Sequence, residues 1–200
     1  MKITVITEPF HYVKIEGLYS KSERKDMLDE MVLLERANCF LQPKDTGQTK
    51  ENMKKNSGLF LDEVYSNRSC SHILKNNGRL FDVFKTEEVK KSWLFKDPPD
   101  MMSYTTLISY YENSDYYKPH HDSTQFTVLS WFYKTPKKFK GGDFEFTDYD
   151  ITHKVDNETI IMFPSGIKHA ATITVMDSID EGKQLGRFCM AQFILPQENR

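Results

Sequence analysis

His120, His121 and Asp122, in the stretch YKPHHDST, carry side chains that bind metal ions. Along an extended strand side chains alternate faces, so His120 and Asp122 are expected to point one way and His121 the other. One imidazole and one carboxylate on one face make two ligands of a metal site. His169, in IIMFPSGIKHAATITV, is the candidate for the third, because it too heads a β-rich run. Two histidines and one carboxylate on one side of a metal leave three positions open, the arrangement used in non-haem Fe(II) oxygen chemistry. Catalytic zinc sites use the same donor set, so ligand identity alone does not choose the metal. Taken alone, the His-x-Asp triplet also fits a solvated turn pair.

More of the chain falls in order around these three residues: Tyr110, Tyr117, His120, Asp122, Gly141-Gly142, Phe163-Pro164, His169 and Gly186-Arg187. This series resembles the 2-oxoglutarate and Fe(II) dependent dioxygenases, most closely their prolyl 4-hydroxylase-like branch, from about Leu107 to the C-terminus. The resemblance implies Fe(II) on His120, Asp122 and His169, with 2-oxoglutarate as cosubstrate, O2 as oxidant and ascorbate as reductant. The reaction implied is hydroxylation of a C–H bond with decarboxylation of 2-oxoglutarate to succinate. Its substrate would be a prolyl residue in a peptide or protein, with a small molecule or free amino acid as the alternative. Two other readings keep the ligands and drop this chemistry: a cupin-like isomerase or hydrolase holding zinc or manganese, and a jelly-roll metal- or sugar-binding module without catalysis.

Arg187 separates these readings. It stands in LGRFCMAQF, a mostly apolar β run expected to pair next to the His169 strand, and a buried guanidinium must find a partner for its planar fork of donors. In the resembled family a basic residue on this strand binds the distal carboxylate of 2-oxoglutarate: lysine in the collagen-type enzymes, arginine in the oxygen-sensing hydroxylases and several bacterial relatives. The separation of His169 from Arg187 exceeds the family's usual spacing. Met176 to Gln184 reads as an insertion at a hairpin tip, and if it is not one, Lys183 becomes the rival of Arg187. The resemblance also implies that Tyr110 assists in cosubstrate binding, a role for which Tyr111 competes. Ala171 shares a face with His169, and Cys189 and Ala191 share one with Arg187, so small side chains leave room for a ligand. Phe193 stands where many relatives have tryptophan.

These side chains need a scaffold to hold them. A chain of 200 residues buries one sizeable core, and 1–200 reads as a single domain, 1–100 mainly helical support and 101–200 the metal-binding β core. Residues 3–7 and 11–15 read as an opening hairpin on a sheet edge. Ser20-Lys21-Ser22-Glu23 is a capping box, and a helix with an apolar stripe through Met27, Met31 and Leu34 is expected to follow to about Ala37. The segment 42–57 is polar, with Pro43 and Gly47, and reads as a loop or short exposed helix, a solvated connector first; in the resembled family a mobile segment before the metal strands covers the substrate, which is the alternative role. Further helices are expected over 69–75 and 79–94, and Asp97-Pro98-Pro99-Asp100 ends the helical half. Strands are expected at 103–111, 116–120, 125–133, 143–147, 151–155, 158–163, 168–175 and 186–195. The fold class is therefore α+β: a double-stranded β-helix, jelly-roll and cupin-like, braced by N-terminal helices.

Composition excludes some classes of partner. A net charge of −2 with 28% charged residues gives neither a nucleic-acid nor a membrane footprint, although KTPKKFK, 134–140, is a local basic turn. Three cysteines at irregular spacings predict free thiols rather than a disulfide framework. With no signal peptide in MKITVITEPF and no long apolar run, a cytoplasmic location is expected.

Overall fold

Alternation of side chains dominates the architecture. The computed structural model describes residues 1–47, 52–96 and 102–196. The opening hairpin is β1 (Lys2–Ile6) and β2 (Tyr12–Glu16), followed by α1 (Lys21–Arg36). The capping box forms as expected: the backbone N–H of Ser20 donates to Glu23 Oε2 at 2.7 Å, and that of Glu23 donates to Ser20 Oγ at 3.2 Å. Next come β3 (Ser57–Phe60) and the short helices α2 (Leu61–Val64), α3 (His72–Asn77), α4 (Leu80–Phe84) and α5 (Glu87–Lys90). The helices expected over 69–75 and 79–94 are thus broken into single turns. Residues 48–51 of the polar loop and the Asp97-Pro98-Pro99-Asp100 break lie outside the described residues.

The β half contains β4 (Met102–Tyr111), β5 (Tyr117–His120), β6 (Phe126–Phe132), β7 (Phe139–Gly141), β8 (Phe144–Phe146), β9 (Ile151–His153) and β10 (Thr159–Pro164). It ends with β11 (His169–Ala171), β12 (Thr174–Met176) and β13 (Arg187–Pro196). A seven-stranded sheet runs β1-β2-β10-β6-β13-β4-β3, and a four-stranded sheet runs β5-β11-β8-β9. Strand β7, which the sequence did not announce, pairs among the described residues only with β12. All pairings are antiparallel, and two facing sheets with helices outside one of them make the double-stranded β-helix. Three strands of the large sheet come from the first hundred residues, which therefore supply more than helices.

The large sheet is buried on both faces, and one strand parity goes to each. Even-numbered residues of the central strands, among them Ile108, Val128, Met162, Phe188 and Met190, pack with Met27 and Met31 of α1 and with Ile73, Leu80 and Val83 of the short helices. Odd-numbered ones, including Leu107, Leu129, Trp131, Ile161 and Phe163, pack with Phe144 and Phe146 of the small sheet. Strand β6 is accordingly buried at every position, a continuous run rather than an amphipathic alternation.

Two expectations about connectivity are corrected. Arg187 does not lie on a strand beside His169: β13 sits between β4 and β6 in the large sheet, and β11 belongs to the opposite one. The segment 176–184 is not a hairpin tip, because β12 and β13 do not pair. It is a crossover containing a 3-10 turn, Ser178–Asp180, that carries the chain from one layer to the other.

Candidate metal centre and cosubstrate cavity

Between the two sheets lies a cavity of about 380 Å³. His120 ends β5, His169 begins β11, and the two are paired across that ladder. Their rings are 4.3 Å apart, centroid to centroid. Asp122 lies two residues beyond the strand end, its backbone N–H donating to Ser165 O at 3.0 Å. Nε2 of His169 is 3.4 Å from Asp122 Oδ2, and Nε2 of His120 is 3.8 Å from Asp122 Oδ1. One ligating atom from each of the three lies within 4.8 Å of the others. The structure thus brings together the three residues the sequence singled out.

The protonation pattern suits a cation. Nδ1 of His120 faces Lys118 O at 2.8 Å and Nδ1 of His169 faces Ile167 O at 2.9 Å; a carbonyl only accepts, so each Nδ1 carries a hydrogen and each Nε2 is the nitrogen turned towards Asp122. Burial, with His169 next, pushes the His120 imidazolium down to about 4, so the ring is neutral and ready to ligate at neutral pH. Burial works to raise the Asp122 carboxyl, but His169, the Thr127 hydroxyl and His120 together hold it below the ordinary carboxylate value. Two imidazoles and a carboxylate of this kind match a divalent metal. Tyr117 stacks on His120 at 3.6 Å and 11°, fixing the ring plane. His121 is exposed, its Nδ1 turned to Gly166 O at 2.9 Å.

The other end of the cavity holds Arg187. It is 1% exposed, and neither Nε nor Nη2 has a hydrogen-bond partner among the described residues. Its guanidinium lies 3.7 Å over the ring of Tyr111. A Cβ on Gly142 would fall 2.6 Å from Arg187 Nε and 2.8 Å from Thr174 Oγ1, so only glycine leaves this corner open. A buried guanidinium with two unpartnered nitrogens is costly until an anion meets it, and its planar fork matches a carboxylate. The chemistry of the donors therefore fits both groups that the sequence implied, a divalent metal and a carboxylate ligand.

Tyr110 is corrected. As an even-numbered residue of β4 it faces the helices, where its hydroxyl donates to Glu112 Oε1 at 3.1 Å and accepts from the Gly186 N–H at 3.3 Å. Tyr111, its rival, lines the cavity. Lys183 is exposed. Cys189, Ala191 and Ala171 line the cavity as their parity predicted, and burial pushes the Cys189 thiol up to about 11. All three cysteines are free of disulfides. Sequence reasoning missed Trp131 and Phe144, which wall the cavity, and Thr127, bonded to Asp122. Extending the odd parity of Arg187 across the β13–β6 register, in which Cys189 pairs Trp131 and Phe193 pairs Thr127, reaches two of them.

No protein-family model and no curated protein matches the sequence. Solved structures do match its fold. Over 94% of this chain and 98% of the other it is similar to "viral collagen prolyl hydroxylase vCPH from Paramecium Bursaria Chlorella virus-1 - 2OG complex", with a TM-score of 0.60 and 14% identity. Over 91% of both chains it is similar to a Pseudomonas putida prolyl-4-hydroxylase, TM-score 0.66 and 9% identity. The chain has the fold of the 2-oxoglutarate oxygenases. That fold also matches the "non-heme alpha ketoglutarate dependent epimerase SnoN from nogalamycin biosynthesis" over 92% of this chain and 76% of the other, TM-score 0.58 and 12% identity. Among the described residues no helix is long and apolar enough to cross a membrane.

Proposed function

We propose that this protein is a 2-oxoglutarate and Fe(II) dependent oxygenase that hydroxylates a C–H bond, with a prolyl residue in an extended peptide or protein segment as its substrate. One observation carries the reading: a His-Asp-His donor set and a buried guanidinium without a carboxylate partner among the described residues share one cavity. A zinc hydrolase or a sugar-binding module has no use for that guanidinium. His120, Asp122 and His169 hold the metal, and Arg187 takes the distal carboxylate of 2-oxoglutarate over the Tyr111 ring. Bound Fe(II) with 2-oxoglutarate and O2 supplies oxidative decarboxylation to succinate and transfer of one oxygen atom to carbon, with ascorbate as reductant. The protein's own part is to orient these groups and exclude water.

Support for a peptide comes from the cavity end away from Arg187. In the β13–β4 register Arg187 pairs Tyr111, and Phe193 pairs Thr105. Thr105 lines that end, with Thr124 of the loop ahead of β6, and Thr46 and Gly47 of the polar loop line the same cavity. Hydroxyls and an aromatic ring suit a neutral peptide backbone and a pyrrolidine ring, whereas a free amino acid brings two charges that need compensation. Proline-containing segments are pre-extended, so threading one costs less ordering entropy than capturing a flexible chain. A small-molecule substrate is the second reading, favoured by the likeness to SnoN.

The test has two stages. Fe(II) and 2-oxoglutarate added without oxygen are expected to give a visible charge-transfer band; a spectrum without it overturns the oxygenase reading. Iron-loaded enzyme is then incubated with proline-rich peptides and with free L-proline. Hydroxyproline in the peptides alone supports the prolyl reading. Succinate release stimulated only by small molecules, with every peptide unmodified, overturns it.

A further inference from the structure

Of the two oxygens of Asp122, one has an obligatory partner. Thr127 Oγ1 lies 2.6 Å from Asp122 Oδ2 and, because an ionised carboxylate only accepts, the hydroxyl hydrogen belongs to this bond. Thr127 Oγ1 is then left with acceptor capacity alone. Ser165 Oγ, 2.9 Å away, must donate to it. Thr124 Oγ1 is 2.8 Å from Ser165 Oγ and is the donor of that pair, with Phe126 O a second, longer acceptor at 3.4 Å. The result is a one-way chain, Thr124 to Ser165 to Thr127 to Asp122. Thr127 and Ser165 are both fully buried, so no solvent competes for these bonds. Backbone bonds clamp the same three segments: Asp122 N–H to Ser165 O at 3.0 Å, and Ser165 N–H to Gln125 O at 3.1 Å.

This arrangement bears on how the carboxylate is aimed. Oδ2 lies 3.4 Å from His169 Nε2 while it accepts from Thr127, so a carboxylate rotated out of this plane would leave a buried hydroxyl without its acceptor. We infer that Thr127 is a positioning residue, which holds Asp122 Oδ2 through a directional hydroxyl chain from Thr124 and Ser165 and so fixes the orientation in which the carboxylate faces His120 and His169. This rests on the metal reading above and adds to it the residue that aims the carboxylate. Thr124 also lines the cavity, so the chain links the substrate end to the metal ligand.

Co(II) is the probe, because its visible absorption reports coordination geometry and needs neither turnover nor 2-oxoglutarate. The full chain is compared with Thr127→Val, which keeps the side-chain volume and loses the hydroxyl, and with Thr127→Ser, which keeps the hydroxyl. Thr127→Val is expected to bind Co(II) about 10- to 100-fold more weakly, with an altered band intensity, while Thr127→Ser restores the wild-type spectrum. A purely structural role would lower the melting temperature without changing the spectrum of the bound ion. Should Thr127→Val fail to fold, Ser165→Ala, which removes only the orienting donor, is expected to shift the same spectrum less. Wild-type affinity and spectrum in a folded Thr127→Val or Ser165→Ala variant overturn the inference. The outcomes also separate it from the proposed function. Co(II) spectra that change as expected, without any Fe(II)–2-oxoglutarate band in the wild type, leave Thr127 in place and remove the oxygenase. Wild-type protein that binds no Co(II) removes both.

Discussion

The two faces of the seven-stranded sheet are about equally buried, yet they are built for different ends. On the outer face Ile108, Val128, Phe188, Met190 and Ile194 meet helix side chains, and the polar Thr106 and Gln192 buried among them bond Asn77. On the inner face the same strands present Thr105, Ser109, Arg187, Cys189 and Ala191 around an open volume. Burial alone therefore does not mark the site. Open volume beside a buried charge does, because a close-packed interior has no other reason to leave space or to leave guanidinium nitrogens without partners.

Four changes test this contrast, the largest effect first. Asp122→Ala or His169→Ala on the inner side is expected to abolish succinate release while circular dichroism still reports a folded chain, since the main apolar layer lies on the other face; wild-type rates from either variant at sub-stoichiometric iron would contradict it. Phe188→Ala on the outer face is expected to do the reverse, costing about 3 to 5 kcal/mol in urea unfolding. Cosubstrate affinity of the protein that remains folded should be unchanged.

The third change is pH. His120 is held down to about 4, whereas the unfolded chain takes up a proton near 6.5. Between these values the unfolded state binds more protons, so stability of the metal-free protein falls as pH drops through that window, by about 3 kcal/mol, and this group adds nothing further below it. The lowered Asp122 carboxyl acts in the same direction, its contribution being lost as pH falls through its folded value. Comparing unfolding of wild type and His120→Asn isolates the imidazole, and equal pH slopes would refute the assignment. The smallest change is Arg187→Lys. It keeps the charge and loses the fork, and is expected to weaken 2-oxoglutarate binding by about 1 to 3 kcal/mol in a titration of the charge-transfer band.

Much of this was legible in the sequence because it is local. The capping box at Ser20 and Glu23 needs only neighbouring residues, and α1 begins where it stands. The shared face of Arg187, Cys189 and Ala191 follows from the two-residue period of a strand, whatever that strand pairs with. The residue types at positions 120, 122 and 169 limited the chemistry to a hard or borderline cation.

Tertiary structure decided what period and type leave open. Whether the odd or the even residues of β4 face the cavity depends on its register against β13, and that register put Tyr111 inside and Tyr110 against the helices. The placement of Arg187 across from His169 depends on a crossover between layers, which spacing along the chain does not encode. Thr127 becomes a partner of Asp122 only because the turn at Ser165 folds against the loop ahead of β6. Alternation is a property of a single strand and can be read from it, while register and facing are set by where two apolar surfaces find each other, which is a property of the whole fold.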